Sequence, residues 1–168
     1  MKKAILFDWH GVLVFNKMGM ESISNEIYHK VISNSATDSE IIQLINSYEK
    51  YNPLWSALPK LKAHFKMCVV NNGPSITFPY WDKYFGYSKY MEFINSEIVG
   101  VSKPKPEIYK IACDTLSVKT DEVIYMDDSC GFPKETLDLK MDFIHWDTLE
   151  NGYYKFSEYL KTNLDINI

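Results

Sequence analysis

The chain contains no arginine: all 18 of its basic residues are lysine. Recognition that depends on a planar guanidinium gripping a carboxylate or phosphate through two parallel hydrogen bonds is closed to it. Cysteine is scarce too. Cys68, Cys113 and Cys130 are odd in number, widely spaced and without a Cys-x-x-Cys pair. That excludes a disulfide framework or a cysteine zinc site and suits reduced thiols in a cytoplasmic protein. No apolar run approaches the ~20 residues of a membrane span. The opening MKKAILF ends at Asp8, short of the roughly 7–15 apolar residues of a secretory leader, so neither export nor a membrane is expected. A net charge of −4 offers no basic field to nucleic acid or to an anionic surface. The expected partner is a small molecule, and the expected state is a monomer or weak dimer.

What is present is ordinary in bulk and patterned in detail. The 168 residues, 46% hydrophobic and 24% charged, suffice for one domain with a full core and a modest insertion. Ala4 to Phe7, Met67 to Val70 and Val123 to Met126 are nearly continuous apolar runs, as for strands buried on both faces. Met141 to Trp146 reads as a further strand nearer an edge. Trp55, Leu58, Leu61 and Phe65 fall at helical spacing, as do Ile108, Ile111, Ala112 and Leu116 behind a Pro-Lys-Pro-Glu start. Tyr153 to Leu164 reads as a last amphipathic helix. The alternation predicts an α/β fold with a parallel sheet. Residues 16–54 break the rhythm with two helical patterns and no strand, the second opened by the capping-box spelling Thr37-Asp38-Ser39-Glu40. The division predicted is a core of residues 1–15 and 55–168 with a small helical insertion, 16–54.

Ligands of open parallel sheets bind at the carboxyl ends of the strands. After the first apolar run comes Asp8, after the second Asn71-Asn72-Gly73, after the third Asp127-Asp128-Ser129, and Lys103 precedes the helix leading into that third strand. Taken singly, Asn71-Asn72-Gly73 and Lys103 read as loop and surface charge, while Asp127-Asp128-Ser129 reads as well as a turn as it does as a functional pair. Asp8 is harder to dismiss, because a carboxylate just past a buried strand needs a partner. If the strands are neighbours, three carboxylates meet one ammonium, and a divalent cation would supply the missing positive charge. An all-oxygen donor set suits magnesium, and such a site suits phosphoryl chemistry with Asp8 attacking.

These stretches together resemble the haloacid dehalogenase superfamily of hydrolases. AILFDWHGVLV is similar to its nucleophile loop, CVVNNGP to its second motif, GVSKPKPEIY to its lysine motif and VIYMDDS to its acidic metal motif. The resemblance implies a Rossmann-like three-layer parallel sheet with a short helical cap inserted after the first strand. It implies Asp8 as nucleophile; Lys103 beside it and the phosphate; Asn71, Asn72 and Gly73 toward the substrate; and magnesium on Asp8, Asp128 and the backbone carbonyl of His10, with Asp127 close by. Two positions depart from the pattern. His10 stands where the family's phosphatases carry an acid–base aspartate, and Asn71 replaces a serine or threonine. A histidine can carry both protons, and beside carboxylates its charged form is expected to be favoured. Phe132 and Lys140 also depart, Lys140 standing at a usual glycine. The implied activity is a magnesium-dependent phosphatase on a small phosphorylated metabolite. The alternatives are a non-catalytic metal-binding member, or a carbon–halogen or carbon–phosphorus hydrolase. The last would need a Schiff-base lysine, for which Lys17, Lys30 and Lys50 are the candidates. Cys130, beside the metal motif, reads as loop.

Overall fold

A computed structural model describes residues 1–129 and 137–168; Cys130 and Phe132 lie outside the described residues. Five parallel strands form the sheet: β1 (Ala4–Phe7), β4 (Lys66–Asn71), β5 (Glu92–Asn95), β6 (Val123–Asp127) and β7 (Asp142–His145). Their spatial order is β5-β4-β1-β6-β7, with β1 at the centre. The register sets Phe7 beside Val69 on one side and Met126 on the other, so the chain emerging from β1 sits between the ends of β4 and β6.

Alternating side chains divide the core into two layers of packing. Ile5, Phe7, Met67, Val69, Ile124 and Met126 face α3 (Asn52–Lys62), α4 (Phe78–Phe85) and the last helix, α7 (Leu149–Leu164). Leu6, Cys68, Val70, Val123 and Tyr125 face α6 (Pro106–Leu116). A short helix, α5 (Ser96–Val99), follows β5. The result is the three-layer, Rossmann-like parallel sheet expected from the sequence. α4 and β5 were not expected. FPYWDKYF carries too few aliphatic residues at helical spacing to stand out, and EFIN is four residues with an exposed glutamate at the sheet's edge.

The inserted segment holds α1 (Glu21–Ile32) and α2 (Asp38–Asn46), joined through a small apolar cluster of Ile27, Val31, Ile41 and Leu44. The expectation of no strand here is corrected. β2 (Val14–Asn16) and β3 (Tyr48–Lys50) pair antiparallel at the segment's base. Three residues are too few for an alternation to be legible, and the pairing depends on the segment's two ends returning to the same place. Lys140 has φ +56°, so the left-handed backbone that suits glycine is kept with a side chain on it.

Thr37 caps α2 as its spelling predicts, with Glu40 Oε2 accepting the Thr37 N–H at 2.8 Å while Oε1 pairs with Lys30 at 2.8 Å. The hydrogen bond from Lys30, then those from Thr37, hold the Glu40 carboxyl down at about 2 against a usual 4.5. A depressed carboxyl stabilises the fold above its unfolded value and loses that contribution as pH falls through the folded one. The α1–α2 hairpin should therefore loosen between pH 4.5 and about 2. Amide exchange of α1 and α2 followed across that range should show opening ahead of the sheet. Glu40→Gln should remove the pH dependence, and equal protection of both variants at all pH values would contradict the assignment.

Candidate active site

The site lies where β1, β4 and β6 end. The Asp8 N–H donates to the Met126 carbonyl at 2.8 Å, continuing the ladder one residue past β1 and pinning the aspartate's backbone. Its Oδ1 accepts the Trp9 N–H at 2.7 Å and faces Lys103 Nζ at 2.8 Å. Lys103 Nζ also contacts Asp127 Oδ2 at 2.8 Å, so one ammonium bridges two buried carboxylates. Asp8 Oδ2 accepts no hydrogen bond among the described residues.

Burial pushes the Asp8 carboxyl up to about 7, with Lys103 pulling it down and Asp127 adding to the rise. Burial acts the same way on Asp127, but there Lys103 and hydrogen bonds from Ser129 and Tyr125 prevail and hold it below the usual carboxylate range. Asp128, more exposed, is raised by partial burial and by Asp127. Burial opposes the Lys103 charge, yet Asp8 and Asp127 outweigh it and raise its pKa. Three carboxylates against one ammonium leave a negative hollow.

Ligand atoms of Asp8, Asp127 and Asp128 lie within 4.8 Å of one another. Gly11 shapes the hollow: its φ is +78°, and a Cβ there would stand 2.1 Å from Asp128 Oδ2. Only a glycine lets the loop after β1 pass the Asp128 carboxylate this closely. Hard oxygen donors, converging charge and this close passage fit a magnesium ion.

The remaining expected residues divide into two groups. Asn71 is 2% exposed at the end of β4, and its side chain neighbours His10. Asn72 is turned to another task. Its Nδ2 donates to the Lys103 carbonyl at 3.0 Å and its Oδ1 accepts the Lys103 N–H at 2.8 Å, so the amide holds the lysine's backbone. Gly73 is held by Asn95 and Ser96 at the end of β5, and a Cβ on it would press on Asn71 Nδ2 at 2.8 Å. Asn95, Ser96 and Tyr125 were not anticipated, and Ser129 was named only as part of its stretch, without a role. The asparagine and serines lie in or beside an unrecognised strand or a turn, and a tyrosine inside an apolar run reads as core.

His10 differs from expectation. Its ring lies 4.8 Å from the Tyr48 ring and 5.4 Å from the Trp81 ring. Burial, then the positive charge of Lys103, lowers its pKa to about 4, with the neighbouring Asn71 side chain acting in the opposite direction. Aromatic neighbours and the ammonium outweigh the carboxylates that were expected to favour the charged form. Of the three other lysines considered, Lys17 donates to the Asn46 carbonyl at 2.7 Å, Lys30 pairs with Glu26 and Glu40, and Lys50 lies over the Trp55 ring at 4.2 Å. Each is engaged within or at the base of the insertion.

At the carboxyl edge of the parallel sheet, one ammonium thus bridges two buried carboxylates beside a third, where the ligands of open α/β sheets bind. A sequence profile of the haloacid dehalogenase-like hydrolase family matches residues 27–130, and the chain belongs to that family. A family enzyme from Bacteroides thetaiotaomicron, crystallised with magnesium and inorganic phosphate, superposes with a TM-score of 0.69. That match has 16% identity and covers 86% of this chain and 94% of that one. A superfamily hydrolase from Ehrlichia chaffeensis gives a TM-score of 0.61 at 18% identity, over 92% and 97% of the two chains. At such identities the likeness is one of fold. By sequence, a stretch of 55 residues is 42% identical to bifunctional epoxide hydrolase 2 of Rattus norvegicus; it makes up 32% of this chain and 10% of that protein. No helix among the described residues is long and apolar enough to cross a membrane.

Proposed function

We propose that the chain is a magnesium-dependent phosphatase acting on a small phosphorylated metabolite in the cytoplasm, as a monomer or weak dimer, through an intermediate on Asp8. The observation that carries this reading is Lys103 Nζ at 2.8 Å from both Asp8 Oδ1 and Asp127 Oδ2, which leaves Asp8 Oδ2 without a hydrogen bond among the described residues. The lysine neutralises the nucleophile's inner oxygen and orients the outer one. Asp8 Oδ2 attacks phosphorus, the bond from phosphorus to the leaving oxygen breaks, and that oxygen takes a proton. Water then attacks phosphorus, releasing phosphate and restoring the carboxylate. Magnesium, held by Asp8, Asp128 and the carbonyl of His10, would supply positive charge to the phosphate oxygens. Lys103 and donors at the end of β4 would hold the transferred group, and His10 would carry the protons.

A second reading has its own support. The His10 ring is packed against Tyr48 and Trp81, which suits a fixed structural ring as well as a proton carrier. In that reading the chain binds metal without turnover. Intact-mass analysis after incubation with magnesium and acetyl phosphate separates the two. The phosphatase reading expects a gain of one phosphate, or rapid phosphate release, that is abolished in Asp8→Asn. His10→Ala should keep magnesium binding and prolong the adduct. Magnesium binding with neither adduct nor release would favour the second reading.

A further inference from the structure

We infer that Tyr125 is a positioning residue, whose hydroxyl fixes the Asp127 carboxylate and through it the ammonium of Lys103; this rests on the phosphatase reading for its consequence but not for its geometry. Tyr125 and Asp127 are two apart on β6, so their side chains share a face. Both are buried, at 1% and 3% exposure. An ionised carboxylate offers about four lone-pair directions, and in the interior each must find a donor or a cation. Asp127 Oδ1 takes the Ser129 N–H at 2.8 Å and the Ser129 hydroxyl. Asp127 Oδ2 takes Lys103 Nζ at 2.8 Å and the Tyr125 hydroxyl.

With both oxygens occupied, the carboxylate cannot rotate without losing a donor. The direction left for Lys103 is therefore set by the phenol on the other side of Oδ2. The phenol is itself braced. Tyr109 on α6 places its hydroxyl 3.4 Å from that of Tyr125, with the rings edge to face at 5.0 Å. The helix carrying Tyr109 begins three residues after Lys103, so the brace and the lysine belong to one stretch of chain. Removing the hydroxyl while keeping the ring gives up the hydroxyl contact with Tyr109, leaves the ring contacts with Tyr109 and Phe143 in place, and frees one lone pair of Oδ2 beside the ammonium.

Tyr125→Phe tests this with two measurements. In the metal-free protein, the Lys103 ammonium is observed by nitrogen-detected lysine NMR and assigned by its loss in Lys103→Gln. Its hydrogen exchange should quicken about tenfold in Tyr125→Phe while the melting temperature stays close to wild type. With magnesium present, inorganic phosphate should bind about tenfold more weakly to the variant while magnesium affinity changes little. A packing role alone would lower the melting temperature and weaken both ligands together. Unchanged ammonium exchange in Tyr125→Phe overturns the inference. If wild type binds no phosphate but the exchange rate still rises, the phosphatase reading fails and the positioning role stands.

Discussion

Lys103→Met should unfold at a markedly lower urea concentration than wild type, a loss of about 3–5 kcal/mol, and should form no phosphate adduct. The size of the effect follows from what the substitution leaves behind. Asp8 and Asp127 are 8% and 3% exposed, and the ammonium stands 2.8 Å from each. Two buried carboxylates without a cation face both their own desolvation and each other. Methionine fills a similar volume with no charge, so the loss reports electrostatics rather than a cavity. Added magnesium should return part of the stability, since a divalent cation among the same oxygens lowers the same repulsion. A variant as stable as wild type would mean that the carboxylates are not ionised together in the folded protein.

Trp9→Ala should cost about 3–5 kcal/mol, the range for removing a large buried aromatic. Trp9 is fully buried beside Asp8 and meets Trp55, Trp81, Phe85, Tyr87 and Phe93 at centroid distances of 5.3 to 6.3 Å, all tilted edge to face. Such pairs add to the area buried. Its indole nitrogen has no hydrogen-bond partner among the described residues. Trp9→Phe should therefore recover most of the loss, because ring packing rather than a polar contact is what tryptophan supplies. Equilibrium unfolding of both variants checks this, and equal losses for Ala and Phe would show that the nitrogen matters after all.

The parts of this fold that were legible are those where burial on both faces leaves a run of apolar residues with nothing polar to interrupt it. Ala4 to Phe7 was placed to the residue, and Val123 to Met126 to within one. Asp8 stands out for the same reason, as a carboxylate just past such a run, whereas Asp127 and Lys103 gain meaning only once the fold brings all three within ion-pair distance. What could not be read depends on encounters between distant segments. Strand pairing of Tyr48–Lys50 needs Val14–Asn16 beside it, and the strand Glu92–Asn95 is recognisable only once Lys66–Asn71 offers its edge. Asn72 reads as loop until Lys103 arrives to take both ends of its amide. His10 misled for a physical reason. Sequence distance places it beside carboxylates, whereas the fold turns its ring to Tyr48 and Trp81 and leaves Lys103 as the charge it feels most.

The neighbour of Asp8 gives the aromatic cluster a second meaning. Asp8 is tied on one side to the central ladder and on the other to a tryptophan wedged among five rings, so its carboxylate has no backbone freedom of its own. Substitutions at Phe85 or Phe93, which carry no polar group, would reach the charged cluster as displacement of Asp8. In a screen that scores survival by turnover, such positions should tolerate as little change as the charged residues, while a screen that scores folded protein alone would rank them far apart.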